Sequence, residues 1–351
     1  MKSNNFYIFR VNASPNIGFG HLIRCSALAE AISERNGKII FASNYPEIIR
    51  KVVNSFYFDL LDLSNFSPFS LEELEFLIGS LKKIQHPKAF IVDSYDVTSE
   101  YLRGIKKNFP HMLLVAIDDL GEKVYSVDIL INGNLYAEKL DYSEQRKLGT
   151  KLLLGPKYLL LRKEFCNYCP SKIRDGVEDF LVTFGGSDVA GLTERVVHIL
   201  VNMNLDKVKI HVVLGYGFER NIKEEFKGYS NVRFHYNLNG KEIKDLAEKT
   251  DLAISAGGSS LYELAKCGVP TIAMPIADNQ IMLTEEMERY GIIDIVKFDD
   301  NFTRNLPKKI LLLLHSKERR MKMQKKAVAL TRGRGVWQIV AIVFREYGGM
   351  L

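Results

Sequence analysis

The feature that most limits the fold of this sequence is a unit that recurs along it: a short apolar run, a polar or glycine-rich turn, and an amphipathic segment. The first copy begins with Phe6-Tyr7-Ile8-Phe9, which predicts a β-strand. A loop containing Gly18 and Gly20 follows, and His21 stands where apolar residues begin to recur at helical spacing. Strands that alternate with helices pair in parallel, so the pattern predicts a doubly wound α/β sheet.

Four more apolar runs in the first half predict strands at residues 38–42, 89–93, 112–117 and 128–132, and residues 56–63 are a further candidate strand. In such sheets ligands bind outside the carboxyl ends of the strands. The polar residues found at these predicted ends are Asn12, Asp93, Tyr95, Asp118, Asp119, Asn132 and Asn134. Single acids at strand ends also serve as caps, but the series predicts the rim of a binding site.

The pattern pauses at residues 166–178 and then restarts, which predicts two domains. We expect an N-terminal α/β domain over 1–165, a linker over 166–178, a second α/β domain over 179–330 and a C-terminal helix within 331–351. The predicted fold class is therefore α/β, with two doubly wound Rossmann-like domains facing across a cleft.

The second half contains two glycine turns, each at the end of a predicted strand and before a predicted helix. They are Gly185-Gly186-Ser187 and Gly257-Gly258-Ser259-Ser260. Such turns present backbone amides to phosphate oxygens. Glu263 follows the second turn at an offset suited to a ribose diol, and the combination predicts a nucleotide site. The sequence has neither a Walker lysine pattern nor a complete Gly-x-Gly-x-x-Gly fingerprint, which disfavours a kinase, an ATPase or a dehydrogenase.

The charge and composition of the chain indicate which class of ligand it binds. A formal charge of +6 on 351 residues, without a nucleic-acid-binding motif, favours an anionic small molecule over nucleic acid. No apolar run reaches the length of a membrane span and the N-terminus does not resemble a signal peptide, so we expect a cytoplasmic protein without stable membrane insertion. Cys166 and Cys169 have the spacing of a metal or redox pair, but no second pair completes it, and free thiols are the default. No cofactor and no metal are expected.

Several stretches resemble the UDP-2,4-diacetamido-2,4,6-trideoxy-β-L-altropyranose hydrolases of pseudaminic acid synthesis. The first is the signature Ile17-Gly-Phe-Gly-His21-Leu-Ile-Arg24. The others are, in order, Val92-Asp93-Ser94-Tyr95, Ile117-Asp118-Asp119, Leu130-Ile-Asn132-Gly-Asn134-Leu-Tyr136-Ala, Leu154 to Phe165 with Arg162, Phe184-Gly-Gly-Ser-Asp188, Ile254 to Ser260 with Glu263, and Ala277-Asp-Asn279-Gln280.

The resemblance implies a GT-B-like fold and hydrolysis of a UDP-sugar by water, with inversion at the anomeric carbon. His21 matches the position proposed in that family as the base, while the amides of the 257–260 turn would stabilise the leaving UDP. Asp93, Tyr95, Asn132 and Asn134 would surround the sugar, Glu263 would hold the ribose, and Asn279 and Gln280 would reach the sugar or the diphosphate. Further substrate contacts are expected from Asn12, Gly18, Gly20, Arg162, Gly185, Gly186 and Ser187. The product would feed pseudaminic acid, a cell-surface sugar used in flagellin glycosylation.

Two departures from the family pattern stand out. Asn12 occupies a position where the family usually has an acid, which in that family would orient the histidine or raise its basicity. Thr331-Arg332-Gly333-Arg334-Gly335 replaces the more usual acid-glycine start of the C-terminal segment.

Other readings of these residues stay open at this stage. His21 would serve equally as a helix cap, and Arg10 and Arg24 either bind substrate or pair with strand-end carboxylates, with pairing favoured. The alternative functions are an inverting GT-B glycosyltransferase and a non-catalytic nucleotide-sugar binder.

Overall fold

A computed structural model describes residues 5–85, 87–168, 170, 172–205, 207–218, 220–331 and 333–349. The predicted cysteine pair lies partly outside this set because Cys169 is not described, and Arg332 of the C-terminal departure is likewise outside it. The described chain forms two units. Residues 5–17, 21–162 and 334–349 belong to the first, and residues 18–20 and 163–333 belong to the second.

The first unit contains seven strands: β1 (Phe6–Val11), β2 (Lys38–Ser43), β3 (Asp59–Asp62), β4 (Pro87–Asp93), β5 (Leu113–Ile117), β6 (Ile129–Asn132) and β7 (Lys151–Leu154). Its α-helices are α1 (Gly20–Ser33, whose first residue groups with the second unit), α2 (Pro46–Val52), α3 (Leu71–Leu81), α4 (Ser99–Asn108) and α5 (Ser143–Lys147), together with the C-terminal helix described below. Two short 3₁₀ turns, Ala137–Lys139 and Pro156–Tyr158, also lie here.

The first sheet has the strand order β3-β2-β1-β4-β5-β6-β7, and its paired strands run parallel. The central strands are apolar on both faces because helices cover both sides, and β5 is buried along its whole length. Side chains supply the helix starts: the hydroxyl of Ser70 accepts from the Glu73 amide, and that of Thr98 accepts from the Tyr101 amide. The predicted doubly wound sheet is confirmed, whereas β7 was missed by the sequence analysis.

The second unit contains six strands: β8 (Asp179–Thr183), β9 (Lys209–Leu214), β10 (Val232–Tyr236), β11 (Leu252–Ala256), β12 (Thr271–Met274) and β13 (Ile293–Ile295). Its α-helices are α6 (Lys163–Cys166), α7 (Leu192–Asn202), α8 (Gly240–Ala247), α9 (Ser260–Lys266), α10 (Ile281–Arg289), α11 (Phe302–His315) and α12 (Lys317–Leu330), and a 3₁₀ turn spans Asp278–Gln280.

The second sheet has the order β10-β9-β8-β11-β12-β13, again with parallel pairing. One face packs on α7 and α11 through residues such as Val196, Leu200 and Ile310, all buried. A capping box starts α8, where Asn239 and Glu242 exchange side-chain and backbone hydrogen bonds. The second half of the chain is thus a second doubly wound domain, as predicted.

The last helix, α13 (Gly335–Gly349), belongs to the first unit rather than standing apart as predicted for residues 331–351. Val336, Ile339, Val340 and Val343 are buried, and Phe344 stacks on Tyr7 with ring centroids 5.5 Å apart. A return to the first domain explains why this segment is apolar: it covers a sheet face.

The stretch 317–346 is long and apolar enough to span a membrane by length and composition alone. In the structure it is divided into α12, which ends at Leu330, and α13, which begins at Gly335, and about half of its apolar part is buried within the protein. Its hydrophobicity therefore has an explanation in core packing.

A buried ion pair anchors the carboxyl end of β1. Arg10 is completely buried and donates from Nε and Nη2 to the two carboxylate oxygens of Glu73, at 2.9 and 2.8 Å. The Tyr101 hydroxyl also donates to Glu73, at 2.7 Å, and the Phe69 ring lies 4.3 Å from the guanidinium carbon. Arg10, predicted to pair with a strand-end acid, instead pairs with an acid from the first turn of α3.

We predict that Glu73→Gln lowers the free energy of unfolding of the first unit by about 3–5 kcal/mol, because the Arg10 charge stays buried without its partner. The single tryptophan, Trp337, lies in α13, so its fluorescence during urea denaturation reports on this unit. Glu100→Gln is the matched control, since it removes one member of an exposed pair with Arg103. Equal midpoints for the two variants would contradict a stabilising role for the buried pair.

Candidate active site and nucleotide pocket

The first candidate site lies where the order of the first sheet reverses. β1 and β4 are neighbours, but the chain leaves β1 toward β2 and leaves β4 toward β5. Loops that leave adjacent strands in opposite directions open a crevice at the carboxyl ends. His21 follows β1 in the first turn of α1, and Asp93 is the last residue of β4, so the topology brings them to the same crevice.

His21 and Asp93 are joined by a hydrogen bond of 2.6 Å between Nδ1 and Oδ1. Asp93 is 1% exposed, whereas the His21 side chain keeps 11% exposure. An ionised carboxylate only accepts hydrogen bonds, so Nδ1 is the protonated nitrogen of a neutral His21. Nε2 then retains its lone pair, and the arrangement gives a base whose tautomer is fixed by an acid.

Arg24 completes the support of Asp93 from the same face of α1, one helical turn after His21. Its Nε donates to Asp93 Oδ2 at 2.6 Å and its Nη2 donates to Oδ1 at 2.7 Å. The buried Cys25 thiol adds a weak bond to Oδ2 at 3.6 Å. Asp93 therefore has both oxygens engaged and cannot turn away from the histidine.

Electrostatics keep Asp93 ionised despite its burial. Burial alone raises the pKa of a carboxyl, but the Arg24 charge and His21 outweigh it, and the pKa of Asp93 lies well below its ordinary value. Burial likewise opposes the charge of Arg24, yet Asp119 and Asp93 raise its pKa well above the usual value. Both partners are therefore charged throughout the physiological range.

Asp119, which follows β5, is the second carboxylate that Arg24 binds, and we call it the second arm of the site. It accepts from Arg24 Nη1 at 2.7 Å, from Asn134 Nδ2 at 2.7 Å and from the Tyr95 hydroxyl at 2.8 Å. Its pKa is lowered because the Arg24 charge outweighs the cost of burial. The Tyr95 ring stands edge-on to the His21 ring, with centroids 4.8 Å apart. We call the connected set the His21 network; its members are His21, Arg24, Asp93, Tyr95, Asp119 and Asn134.

Two predicted substrate contacts in the first unit need correction. Asn12 does not take the place of an acid beside the histidine: its Oδ1 accepts from Arg10, Ser43 and the Asn44 amide at 2.9–3.1 Å. Asp93 is the acid that holds His21. Asn132 is fully buried, and its amide donates to the Tyr142 hydroxyl while its oxygen accepts from the Asn134 amide, so it supports the rim from beneath.

The remaining predicted contacts of the first unit differ in exposure. Tyr95 and Asn134 are partly exposed members of the network, while Asp93 faces its protein partners rather than solvent. Arg162 is half-buried and ends the second stretch of the first unit, and its contact with substrate stays a prediction. Asp118 is a structural residue, since it accepts from the Tyr142 hydroxyl at 2.6 Å and from the Gly121 amide at 2.8 Å.

In the second unit the strand order reverses between β8 and β11, and the two predicted glycine turns follow these two strands. Gly185 has φ +79°, which favours glycine, and a Cβ at Gly215 would lie 2.6 Å from Gly186 Cα. Phe19, from the Gly18–Gly20 segment that groups with this unit, fills the space beside Gly186, where a Cβ would meet its ring at 2.1 Å. Close backbone packing at this turn thus requires glycine.

The second turn is shaped by Gln280. Its Oε1 accepts from the Gly257 and Ile276 amides, both at 3.0 Å. The carbonyl oxygen is thus engaged in fixing the turn, and the predicted contact of Gln280 with the sugar or the diphosphate stays a prediction for its side-chain nitrogen. Asn279 and Ser259 are exposed and Gly258 is partly exposed, so their predicted ligand contacts remain predictions.

A pocket opens beside this turn. Its polar lining comes from Thr183, Ser260 and Glu263, and its apolar lining includes Phe165, Ile243 and Leu246. Glu263 is 8% exposed, so its carboxylate stands at the edge of an apolar surface. The sequence indicated Glu263, but the apolar lining comes from five elements, α6, α8, α9, β8 and β9, and carried no local signal.

The sequence indicated Asp119 as part of the polar rim at the strand ends and Arg24 as a partner of strand-end carboxylates, and the pairing of Arg24 with Asp93 and Asp119 is confirmed. The signal for Arg24 was its position three residues after His21, which places both on one helix face. The signal for Asp119 was its place after a buried strand, and only the tertiary structure distinguishes it from Asp118.

One group of possible metal ligands is present among the described residues: Glu194, His198 and Glu225, whose ligand atoms lie within 4.8 Å of one another. Arg220 donates to Glu194 at 3.1 Å, and His198 bonds to Glu225 at 2.5 Å. These partners already account for the cluster as surface ion pairs, and the absence of a metal from the chemistry stays a prediction.

The lowered pKa of Asp93 predicts a pH dependence of stability. An aspartate in the unfolded chain has a pKa of about 3.9. Above that pH Asp93 is ionised in both the folded and the unfolded state, and its hydrogen-bond network stabilises the fold. Below that pH the unfolded chain binds a proton that the folded chain does not, and this stabilisation is progressively lost.

Asp93→Asn should therefore lower the melting temperature at pH 7 and remove part of the decline between about pH 4 and pH 3. The melting temperature is measured at each pH from Trp337 fluorescence during thermal unfolding. Asp96→Asn, an exposed neighbour, should reproduce the wild-type curve. A decline of wild-type steepness in Asp93→Asn would contradict the assignment.

Comparisons with known proteins show which families this chain is similar to. The profile of the glycosyltransferase family 28 C-terminal domain matches residues 180–336. A protein of Helicobacter pylori named pseudaminic acid cytidylyltransferase and UDP-2,4-diacetamido-2,4,6-trideoxy-β-L-altropyranose hydrolase is 36% identical over 202 residues, which cover 58% of this chain and 36% of that protein. The Campylobacter jejuni protein named for the same hydrolase is 27% identical over 255 residues, covering 71% of this chain and 84% of that one.

An uncharacterised protein of Methanocaldococcus jannaschii is 25% identical over 277 residues, covering 75% of this chain and 54% of that protein. The chain thus spans about half or less of the length of two of these three relatives.

Among solved structures, Acinetobacter baumannii MurG superposes with a TM-score of 0.65 at 11% identity, covering 97% of this chain and 99% of that one. This likeness shows the fold, and the predicted GT-B-like architecture is confirmed. The family resemblance drawn from the sequence is confirmed as well: the chain is similar to proteins named as UDP-2,4-diacetamido-2,4,6-trideoxy-β-L-altropyranose hydrolases, and its second half is similar to the glycosyltransferase family 28 C-terminal domain.

Proposed function

We propose that this protein hydrolyses a UDP-linked 2,4-diacetamido-2,4,6-trideoxyhexose to UDP and the free sugar, with inversion at the anomeric carbon. The observation that carries the proposal is the hydrogen bond of 2.6 Å between His21 Nδ1 and Asp93, which leaves Nε2 as a proton acceptor. The relatives named above for this hydrolase support the same reaction.

In the proposed step, Nε2 of His21 takes a proton from a water molecule while the water oxygen attacks the anomeric carbon. The bond between that carbon and the UDP oxygen breaks, and UDP leaves with the electron pair. Attack opposite the leaving group inverts the configuration. General base catalysis of this kind typically contributes about 10²–10⁴-fold in rate.

Asp93 stabilises the imidazolium that forms, because its ionised carboxylate already accepts from Nδ1. Asp93 does not need to take the proton itself, since the Arg24 charge keeps it ionised. His21 afterwards releases the proton to solvent, and its side chain keeps some exposure for that exchange.

The leaving UDP is anionic, so it needs hydrogen-bond donors more than it needs an acid. In our proposal the backbone amides of the 257–260 turn and of the 185–187 turn supply them. Gln280 orders the first of these turns in advance, so little reorganisation is needed when charge develops on the diphosphate.

The pocket lined by Glu263 is our proposed nucleoside site. Its carboxylate is suited to accept from the ribose hydroxyls, and the apolar lining of Phe165, Ile243 and Leu246 is suited to the base. Tyr95 and Asn134 are the proposed sugar contacts, and Asn12 and Asn132 act from beneath the surface. We further propose a cytoplasmic location and a role in making pseudaminic acid for surface glycans such as those of flagellin.

A second candidate is an inverting glycosyltransferase, which the match to a glycosyltransferase family 28 C-terminal domain favours. It would use the same base on an acceptor hydroxyl in place of water. The decisive experiment is incubation of the protein with the UDP-diacetamido-trideoxyhexose alone. Stoichiometric release of UDP and free sugar supports hydrolysis, whereas release only after an acceptor is added supports the transferase. Binding without turnover under either condition leaves a nucleotide-sugar binder.

We predict that His21→Asn lowers kcat of this hydrolysis by at least about 10²-fold while the Kd for UDP changes little, because the base is lost and the nucleotide pocket is not. Coupled UDP release and isothermal titration with UDP measure the two quantities. His111→Asn, on an exposed turn of the first unit, is the matched control. Unchanged turnover in His21→Asn would refute its role as the base.

For Glu263→Gln we predict about tenfold weaker binding of UDP, because a charged acceptor for the ribose hydroxyls becomes neutral. The same variant should lose most of the wild-type preference for UDP over 2′-deoxy-UDP. Titration of both ligands into wild type, Glu263→Gln and the exposed control Glu285→Gln measures this. An intact preference in Glu263→Gln would place the ribose elsewhere.

A further inference from the structure

Arg24 is the network member with the most connections to catalytically placed groups. Its three guanidinium nitrogens reach two carboxylates that lie at the ends of different strands, β4 and β5. Only 16% of its side chain is exposed, so the charge is shielded from solvent and its partners are fixed. A guanidinium that served only to bind an anionic substrate would face the crevice with donors unengaged.

We infer that Arg24 is a positioning residue that locks the tautomer of His21 through Asp93 and couples this pair to Tyr95 through Asp119. The inference deepens the proposed function and rests on it for its kinetic part. Arg24 itself does not touch the reacting atoms in this assignment.

The lock follows from the shared oxygen Asp93 Oδ1. His21 Nδ1 reaches it at 2.6 Å and Arg24 Nη2 at 2.7 Å, while Arg24 Nε holds the other oxygen at 2.6 Å. Two parallel bonds from a planar guanidinium fix the plane of the carboxylate. Arg24 Nη2 also lies 3.0 Å from His21 Nδ1, and because arginine offers no acceptor, the Nδ1 proton can point only to Asp93.

The coupling follows from Arg24 Nη1, which donates to Asp119 at 2.7 Å. Asp119 in turn accepts from the Tyr95 hydroxyl, and the Tyr95 ring stands at 83° to the His21 ring. The base and its aromatic neighbour are thereby held by a single side chain. Displacement of a catalytic group by about 1 Å can cost about 10²-fold in rate, so such a clamp has a kinetic consequence.

Lysine cannot replace arginine here. An ammonium keeps the charge, but it presents one nitrogen and cannot form the two parallel bonds to Asp93 while also reaching Asp119. Arg24→Lys therefore separates positioning from charge. Arg103→Lys is the matched control, because Arg103 lies on the surface of the same unit and pairs with the exposed Glu100.

The test combines two measurements on the full-length protein. Nitrogen NMR of ¹⁵N-histidine-labelled protein, with the His21 signals identified by their loss in His21→Asn, reports the tautomer without any substrate. Steady-state kinetics with the UDP-sugar reports kcat and KM.

We expect one tautomer, protonated at Nδ1, in wild type and Arg103→Lys, and a mixture in Arg24→Lys. We also expect kcat of Arg24→Lys to fall by about 10²-fold with KM within about threefold of wild type. A single unchanged tautomer in Arg24→Lys would overturn the lock. A raised KM at unchanged kcat would show instead that Arg24 binds substrate.

Asp119→Asn keeps the shape of the second arm and serves where Arg24→Lys does not fold. It should retain the Nδ1 tautomer, because the two bonds from Arg24 to Asp93 remain, and should lower kcat by about tenfold as Tyr95 loosens. Unchanged kcat would overturn the coupling. If no variant, wild type included, hydrolyses the UDP-sugar, the proposed function fails while the NMR result still decides the lock.

Discussion

The paired hydrogen bonds between Arg24 and Asp93 are the interaction on which the site in the first unit depends. Asp93 is buried at the end of β4, and without a guanidinium its charge would be costly in that position. Arg24 lies on α1, so the pair ties the first helix to a central strand across the switch point of the sheet. The same two bonds hold the carboxylate that orients His21, so they contribute both to the stability of the fold and to the geometry of the proposed catalytic base.

The second sheet has glycine turns, rather than a network of charged side chains, at its own switch point. In our proposal the backbone amides of its glycine turns bind the diphosphate, and bulky side chains would prevent such a close approach. The backbones of Gly186 and Gly215 approach each other more closely than any Cβ allows. The side-chain oxygen of Gln280 accepts hydrogen bonds from the backbone amides of two neighbouring loops. The same sheet topology thus carries a network of side-chain hydrogen bonds at the switch point of the first sheet and closely packed backbone turns at that of the second.

The sequence predicted both sheets, because buried parallel strands are apolar and end in polar residues. It also indicated that His21 and Asp93 lie at one edge of the sheet, where the structure joins them by a hydrogen bond. The roles of these two residues and of Glu263 in binding or catalysis stay predictions. The sequence did not predict the hydrogen bonds that Asn12, Asn132 and Gln280 make within the protein. Spacing shows that a polar residue is near a strand end, but only tertiary packing decides whether it faces a ligand or satisfies buried backbone and side-chain groups.

Charge balance explains why Asn12 suits this chain. Arg10 is already neutralised by Glu73, so a carboxylate at position 12 would add an uncompensated buried charge beside them. The His21 network is different: two carboxylates face one guanidinium, which leaves one excess negative charge while His21 is neutral. When His21 accepts a proton the network becomes neutral overall. In the proposed reaction the stabilisation by this network therefore grows as the proton is transferred to His21, which is the condition for lowering a barrier rather than merely tightening binding.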